Sequence, residues 1–248
     1  MTERVLYAEL TPPDFEARLA EAPIAYLPLG TLEWHGRHLP LGSDGLQSQG
    51  FFVELAREAG GVVLPMLFLG PDRRCEEDGR EFYGMDYADT NGLDGEPRQL
   101  PGSAYWAPDE LFLDLLRAVL KQLRRAGFRI VVAHGHGPST VAFQKHIEEW
   151  QEEFGLRLFH CWRDDESDGL GIQTDHAAAN ETSLVMALHP DLVQMDNLPQ
   201  DLDRWPVSVG GQDPRTDASP ERGRKAMRMQ VERMAGLLRE TLADLPEQ

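Results

Sequence analysis

Cysteine is scarce in this sequence, and the two cysteines that occur, Cys75 and Cys161, lie far apart. Neither belongs to a Cys-x-x-Cys or Cys-x-His pattern, so we predict neither a disulfide framework nor a thiolate metal site. Each is interpreted as a packing or surface thiol. A chain that does not depend on disulfides is typical of a reducing compartment, and we expect a cytoplasmic protein.

Basic residues and long apolar runs are also scarce. The chain has 24 Lys and Arg against 42 Asp and Glu, which gives a formal net charge of −18. This excess of negative charge argues against nucleic acid and anionic membrane surfaces as partners. No apolar run approaches the roughly 20 residues of a membrane span, and the early charges of Glu3, Arg4 and Glu9 argue against a signal peptide. The charge balance says little about small-molecule substrates.

Three short apolar runs, at 24–29, 62–65 and 129–133, alternate with helical patterns. Each run has the length and composition of a buried strand. Strands that alternate with helices predict an α/β fold with a mostly parallel sheet covered on both faces. The length fits one large domain over 1–248. The other predicted elements are a strand at 156–161, helices at 45–59, 108–125, 138–154 and 220–242, and a helix that begins within 174–183.

Two of the helical patterns carry apolar stripes at helical spacing, and both stripes predict a core-facing side. The stripe of the 108–125 helix is Leu111, Leu115, Val119 and Leu123. The stripe of the 220–242 helix is Met227, Val231, Met234 and Leu238. The methionines of the second stripe indicate core or subunit contact rather than a cofactor site.

The stretch from about 71 to 101 breaks the alternation of strands and helices. Its charged residues are Arg73, Arg74, Glu76, Glu77, Asp78, Asp86, Asp89 and Asp94. A loop of this length inside a compact domain is usually functional or disordered, and the aromatic side chains of Phe82, Tyr83 and Tyr87 argue against disorder. We predict an inserted arm that acts as a lid or a subunit contact.

The first candidate site follows the strand at 24–29. Glu33 and His35 are two residues apart, so in extended backbone their side chains point the same way. Asp44 stands at the start of the next helix, where a carboxylate is favoured by free N–H groups. Mixed oxygen and imidazole ligands suit Zn, Mn or Fe. The alternative is an ordinary polar loop in which Asp44 only caps the helix.

A second candidate loop leaves the strand at 129–133 and reads His134-Gly135-His136-Gly137. Ligand sites of α/β folds lie at the carboxyl ends of strands. We interpret His136 as a metal ligand and His134 as its support or as an extra ligand. The alternative is a strand-to-helix turn in which the histidines are incidental.

A third candidate segment follows an acidic loop at 164–168 and contains His176 and Glu181. His176, at the mouth of a helix, is a candidate acid and base because an imidazole titrates near neutral pH. Glu181, about a turn and a half further on, is a candidate metal ligand and catalytic residue. The alternatives are a histidine in solvent and a solvated helix carboxylate.

Four sequence blocks resemble the creatininase (creatinine amidohydrolase) family. They are LGTLEWHG at 29–36 with HLPLGSD at 38–44, PGS at 101–103, GHG at 135–137, and DHA at 175–177 with ETS at 181–183. The turn GQDP at 211–214 and the helix after it are also similar to the C-terminal part of the family. The resemblance therefore spans nearly the whole chain apart from the predicted arm.

The resemblance implies a three-layer α/β sandwich with a mostly parallel central sheet, a dinuclear metal centre and often a homohexamer. The positions that match the family's ligands are Glu33, His35, Asp44 and His136, with Asp44 as the bridging carboxylate, Glu181 at the metals and His176 as the proton carrier. Creatinine-hydrolysing members have a glutamate ligand at the position of Pro138 and a tryptophan close before the catalytic histidine, where this chain has residues 171–173. These differences argue against creatinine as the substrate.

The leading functional hypothesis is metal-dependent hydrolysis of a non-peptide or cyclic amide C–N bond in a small molecule. Two divalent ions would activate water, and His176 would pass a proton to the leaving nitrogen. A formamide deformylase or a peptidase-like maturase on the same centre is an alternative, with Arg37, Arg73 and Arg74 either as anchors for a substrate anion or as plain surface charge. A catalytically silent, metal-stabilised oligomer is the other alternative.

Overall fold

The computed structural model describes residues 4–87, 97–163 and 169–246. Its strands are β1 (Ile24–Leu29), β2 (Val62–Val63), β3 (Arg74–Glu77), β4 (Arg80–Tyr83), β5 (Ile130–Gly135) and β6 (Arg157–Phe159). Its helices are α1 (Pro12–Glu21), α2 (Ser43–Ala59), α3 (Asp109–Arg125), α4 (Gly137–Lys145), α5 (Ile147–Phe154), α6 (Ala179–Leu188), α7 (Pro214–Asp217) and α8 (Pro220–Ala243). The predicted acidic loop at 164–168, and Asp89 and Asp94 of the predicted arm, lie outside the described residues.

The described part of the chain forms a parallel sheet with the strand order β2-β1-β5-β6. All six residues of β1 are buried, because the sheet is covered on both faces. Ile24 and Tyr26 face a cluster formed with α2, α6 and α8. Ala25 and Leu27 face the opposite cluster, formed with α3, α4 and α5. The predicted α/β fold with three layers is therefore confirmed.

The chain reverses direction across the sheet between β1 and β5. From β1 it passes through α2 to β2 on one side, and from β5 it passes through α4 and α5 to β6 on the other side. Leu29 and Gly135, the last residues of β1 and β5, are level with each other. Loops that leave neighbouring strands in opposite directions open a crevice between them. The two histidine-bearing loops begin at this crevice.

Local sequence sets the starts of α1 and α8. Thr11 accepts a hydrogen bond from the Asp14 N–H ahead of α1, and Ser219 does the same for the Arg222 N–H ahead of α8. A proline follows each of these caps in the first helical position, where its missing N–H costs nothing. By contrast, α2 begins two residues before the predicted Gly45, so Asp44 lies inside its first turn.

Several predicted elements differ from the structure. The helix predicted at 138–154 is two helices that meet at His146. The predicted strands at 62–65 and 156–161 are only Val62–Val63 and Arg157–Phe159. The predicted core face of α3 was wrong at Leu111, which is 53% exposed, and right at Leu123, which is buried. The side chains that α3 buries are Phe112, Leu116, Leu120 and Leu123.

The predicted core stripe of α8 is confirmed. The stripe of α8 packs in the core, with Met227, Met234 and Leu238 buried and Val231 partly buried. Cys161 is buried and Cys75 half-buried, and no disulfide joins these two described residues. Among the described residues, no helix is long and apolar enough to cross a membrane.

The predicted arm contains the antiparallel hairpin β3-β4, followed by a short 3-10 helix at Gly84–Asp86. Asp86 fixes the end of this segment, because its carboxylate accepts hydrogen bonds from the backbone N–H groups of Tyr83 and Leu100. These hydrogen bonds connect Leu100, near the end of the arm, to the hairpin. The base of the hairpin lies at the mouth of the crevice.

Candidate metal centre

Five predicted ligands converge at the carboxyl ends of β1 and β5. The loop after β1 supplies two of them, the first turn of α2 one, the end of β5 one and the first turn of α6 one. They are Glu33, His35, Asp44, His136 and Glu181, and each is at most 4% exposed. These side chains come from segments up to 148 positions apart in the chain, so the fold, and not local sequence, brings them together.

Asp44 lies at the middle of the cluster. Its Oδ1 is 3.3 Å from Nε2 of His35, and its Oδ2 is 3.2 Å from Nδ1 of His136. Nε2 of His35 is also 3.6 Å from Oε2 of Glu181. Nδ1 of His136 is also 3.3 Å from Oε1 of Glu33. Each oxygen of Asp44 therefore faces one histidine that has a second carboxylate beside it.

Among the described residues, two groups of three potential ligands share Asp44. One is Glu33, Asp44 and His136, and the other is His35, Asp44 and Glu181. In each group the ligand atoms lie within 4.8 Å of one another. A further group adds His176 to Glu33 and His35. The one imidazole and two carboxylates of each group that shares Asp44 are suitable donors for Zn, Mn or Fe.

The hydrogen bonds of the two histidines fit this interpretation. Nδ1 of His35 lies 3.3 Å from the carbonyl oxygen of Glu33, and Nε2 of His136 lies 3.2 Å from the carbonyl oxygen of Pro71. A carbonyl oxygen only accepts, so these nitrogens donate. Once a ring has lost its second proton, the opposite nitrogen presents its lone pair to the carboxylate side. Nε2 of His35 is buried and has no hydrogen-bond partner among the described residues, as expected of a metal-binding atom.

The charges of the cluster are strongly coupled. Burial acts to raise the pKa of Asp44, but the charges of His35 and His136 and the hydrogen bond from His136 hold that pKa well below its usual range. Burial acts to lower the pKa of His35, yet the carboxylates of Asp44 and Glu181 raise it to about 10. Burial and the charge of Asp44 raise the pKa of Glu181. Without cations the cluster therefore retains protons, which divalent ions would displace.

His176 lies beside the cluster, with its ring stacked on that of His35 at 4.4 Å between centroids. Its Nε2 donates to the carbonyl oxygen of Trp34 at 2.8 Å, which leaves the lone pair on Nδ1. Its backbone exchanges hydrogen bonds with Gly210 in both directions, at 2.9 and 2.8 Å. Burial, and then the charge of His35, lower the pKa of His176. His176 is held as a neutral imidazole.

Strained backbone surrounds His176. Gln173, Ala177 and Ser208 all have φ between 52° and 58°, a range that residues other than glycine rarely adopt. Each has a role at the site. Gln173 donates to Oδ1 of Asp44 at 3.1 Å, the Ala177 N–H donates to Oε2 of Glu181 at 2.8 Å, and the Ser208 hydroxyl donates to the carbonyl of Trp34 at 2.8 Å.

His134 points away from the cluster. Its Nε2 lies 3.1 Å from the carbonyl oxygen of Ile172, and its ring meets Trp162 edge-on. Burial lowers its pKa to about 3. None of the three-residue groups found among the described residues includes His134. Its partners are Ile172 and Trp162, and the supporting role considered from the sequence stays a prediction.

The sequence interpretation missed Asp72. Its Oδ2 lies 3.6 Å from Nε2 of His136, on the side of the ring opposite the carboxylate cluster. Burial, and then the charge of Glu33, raise the pKa of Asp72 to about 7. Asp72 follows the chain out of β2, a neighbour of β1, so the rule that loops at the carboxyl ends of strands carry sites applies to it as well. In the sequence, Asp72 stands beside the many charged residues of the predicted arm, so it was not recognised as a site residue.

A cavity of about 270 Å³ opens above the cluster. The arm contributes Asp72, Arg73, Gly84 and Met85 to its lining. Of the three arginines considered from the sequence, only Arg73 lines it. Arg74 pairs with Glu81 on the hairpin, and Arg37 lies over the ring of Trp34 at 5.7 Å.

Comparison with known proteins decides the family. The creatininase family model, described as creatinine amidohydrolase, matches residues 8–238. The chain belongs to the creatininase family. A creatinine amidohydrolase of Pseudomonas putida is 26% identical over 218 residues, which are 80% of this chain and 77% of the relative.

Solved creatininase structures share the fold. A mutant creatininase described as Zn-Zn type has a TM-score of 0.73 at 23% identity, with 97% of this chain and 99% of that chain covered. A structure described as creatininase Mn has a TM-score of 0.72 at 24% identity, with 96% of this chain and 98% of that chain covered. The predicted family is thereby confirmed, as is its class of hydrolases that act on amide C–N bonds. The individual site residues of this chain stay predictions.

Proposed function

We propose that this creatininase-family protein hydrolyses an amide C–N bond of a small, non-peptide or cyclic molecule with the help of two divalent cations. The observation that carries the proposal is the position of Asp44, whose two oxygens each face a different histidine and carboxylate. A carboxylate in that position suits a bridge between two ions. Membership of an amidohydrolase family supplies the reaction class.

We assign one ion to Glu33, Asp44 and His136 and the other to His35, Asp44 and Glu181. Bound divalent ions lower the pKa of water toward neutrality and polarise a carbonyl oxygen. The relatives described as Zn-Zn type and as creatininase Mn support zinc or manganese, and the donor set is also suitable for iron. Gln173 and the Ala177 N–H hold Asp44 and Glu181 in place by the hydrogen bonds described above.

His176 is the proposed proton carrier. The Trp34 carbonyl fixes its Nε2–H, so Nδ1 is the atom that takes up a proton and later delivers it to the leaving nitrogen. A lowered pKa keeps this nitrogen unprotonated at neutral pH and therefore ready to accept. Stacking on His35 holds the ring beside the ligands. Glu181, the other predicted catalytic residue, acts in this scheme as a ligand.

The cavity argues for a small substrate, because about 270 Å³ leaves little room for a folded chain or a long peptide. Arg73 at its edge supports a formamide or lactam that carries an anionic group, which keeps a deformylase as the second candidate. A peptidase-like maturase would need an extended groove. We further propose a cytoplasmic homo-oligomer, a hexamer by family resemblance.

The first test replaces Asp44 with Asn. We expect Asp44→Asn to lose both ions and at least about a thousandfold in turnover, since each ion contributes several kcal/mol to the transition state. Metal content by mass spectrometry and rates on lactams, formamides and short peptides give the answer. The matched control is Asp109→Asn, in the first turn of α3 and exposed.

Full metal occupancy in Asp44→Asn would refute the bridging role. Two bound ions in the unaltered protein, without hydrolysis across the whole panel, would instead favour the catalytically silent oligomer. Rates on formamides that exceed those on lactams would move the assignment to a deformylase.

A further inference from the structure

Asp72 stands out among the buried polar groups because nothing in the described structure satisfies one of its oxygens. Its Oδ1 accepts a hydrogen bond of 2.6 Å from the Arg73 N–H. Its Oδ2 is buried and has no hydrogen-bond partner among the described residues. The side chain is 3% exposed. A buried carboxylate oxygen without a partner is costly, so its position calls for a functional explanation.

The oxygen is directed at the outer side of His136. Nε2 of His136 donates to the carbonyl of Pro71 at 3.2 Å and lies 3.6 Å from Oδ2 of Asp72. Nδ1, across the ring, faces Glu33 and Asp44. Histidines that bind metals commonly donate their other N–H to a carboxylate or a carbonyl, which fixes the tautomer and increases the basicity of the ligating nitrogen.

Asp72 does not itself join the ligand groups. Among the described residues, no three-residue group with ligand atoms within 4.8 Å includes it. The two proposed metal positions also differ behind their imidazoles. The outer nitrogen of His35 contacts the carbonyl of Glu33. Within the described part of the chain, the His136 position alone has a carboxylate near the outer nitrogen of its histidine.

We infer that Asp72 is a positioning residue for the metal position of Glu33, Asp44 and His136: with the Pro71 carbonyl it holds Nε2–H of His136 and keeps Nδ1 directed at the ion. The inference rests on the proposed metal centre. Because Asp72 begins the segment that leads into the β3-β4 hairpin, it also links the base of the arm to the affinity for one ion of the pair.

The test compares the unaltered protein with Asp72→Asn, which has almost the same shape but no charge. Each protein is made metal-free and titrated with Zn²⁺ against a chromophoric chelator. We expect the unaltered protein to bind two ions, and Asp72→Asn to bind one with unchanged affinity and the other 10- to 100-fold more weakly. The matched control is Asp78→Asn, an exposed aspartate at the hairpin turn whose φ of 49° asparagine adopts readily.

Thermal unfolding of the metal-free proteins checks the fold of each variant. In ¹⁵N-histidine spectra of the zinc-loaded protein, we expect the Nε2–H tautomer of His136 in the unaltered protein and a mixture or a shifted signal in Asp72→Asn. This readout responds to the orientation of the ring and not to turnover.

Three outcomes would overturn the inference about Asp72 alone. They are equal affinities in Asp72→Asn and Asp78→Asn, equal weakening of both ions, and a direct Asp72–zinc bond in a crystal structure of the loaded protein. Failure of the unaltered protein to bind a second ion would instead overturn the proposed dinuclear centre, so the two failures are distinguishable.

Discussion

Backbone carbonyls set the tautomers of the site histidines. The three pairs of histidine and carbonyl are His35 with Glu33, His136 with Pro71, and His176 with Trp34. A carbonyl oxygen stays an acceptor at every pH, so it specifies one tautomer without adding charge. The two proposed ligands use opposite nitrogens, Nε2 in His35 and Nδ1 in His136. Main-chain geometry therefore decides which lone pair faces the cluster.

At the scale of one residue, His176→Gln separates proton transfer from metal binding. The glutamine amide can still donate to the carbonyl of Trp34, but it cannot carry a proton. We expect turnover to fall by about 10²- to 10⁴-fold with both ions retained. Steady-state rates and metal content measure the two quantities. Loss of an ion would instead make His176 a ligand, as its group with Glu33 and His35 permits.

Some of the site residues could be predicted from the sequence, because the ends of buried strands can be recognised there and the loops that follow them carry ligands. Glu33 and His35 follow β1, and His136 follows β5, so the positions of three of the five expected ligands derive from strand recognition alone. Asp72 and Gln173 could not be found this way. The first follows a strand of only two residues, and the second depends on a φ of 56° that no sequence pattern indicates.

At the scale of an element, the arm places Gly84, directly after β4, against the carboxylates of Asp72 and Glu33. A Cβ atom on Gly84 would clash with Oδ2 of Asp72 and would lie 3.0 Å from Oε2 of Glu33. Gly79, at the turn of the same hairpin, also has a positive φ but has nothing within 4 Å of such an atom. Both glycines therefore have a backbone conformation that is unfavourable for alanine, but an alanine side chain would meet neighbouring atoms at position 84 and none at position 79.

This difference gives a paired prediction. Both Gly79→Ala and Gly84→Ala should lose about 1–2 kcal/mol of local stability, because alanine is strained at positive φ. Only Gly84→Ala should also reduce zinc affinity and turnover, by about tenfold or more, since it displaces carboxylates beside His136. Chelator competition and rate measurements on the two variants test this. Equal effects of the two substitutions on zinc affinity and turnover would mean that the contact of Gly84 with the carboxylates does not influence the centre.

Helix faces show where sequence patterns mislead. The segment of α3 has apolar residues at 111, 112, 113, 115 and 116, so two overlapping stripes satisfy helical spacing. Packing against the sheet selects the one through Phe112 and Leu116. Likewise, no proline or glycine marks the break between α4 and α5 at His146. Both features depend on tertiary contacts that a single sequence does not contain.

At the scale of the whole molecule, buried neutral histidines make the metal-free fold sensitive to acid. Nε2 of His38 is 2.8 Å from Oγ1 of Thr182, while its Nδ1 is buried without a partner among the described residues. Burial, and then the charge of His35, lower the pKa of His38 from 6.5 to about 4. The unfolded chain therefore binds a proton between these two values, and the folded chain does not. The contribution of His38 to stability is therefore greatest above pH 6.5 and falls as the pH drops toward 4.

Linkage gives the size of this effect. Between pH 7.5 and 5.5 the metal-free protein should lose about 1 kcal/mol of unfolding free energy through His38 alone. His134 changes stability in the same direction, so the comparison must be with His38→Gln, whose loss should be smaller by that amount. Urea unfolding of both proteins at the two pH values measures it. Equal losses of unfolding free energy in the two proteins would show that protonation of His38 does not destabilise the fold.

The symmetry of the cluster around Asp44 has a consequence for its chemistry in the cell. Each of the two groups that share this aspartate consists of one imidazole and two carboxylates. The donor atoms of the two groups are therefore of the same kinds. Affinity for Mn, Fe and Zn differs even at identical donors, but in the cell the availability of each metal also decides which one is bound. For the proposed dinuclear centre, protein made under different nutrient conditions should therefore carry different pairs of elements.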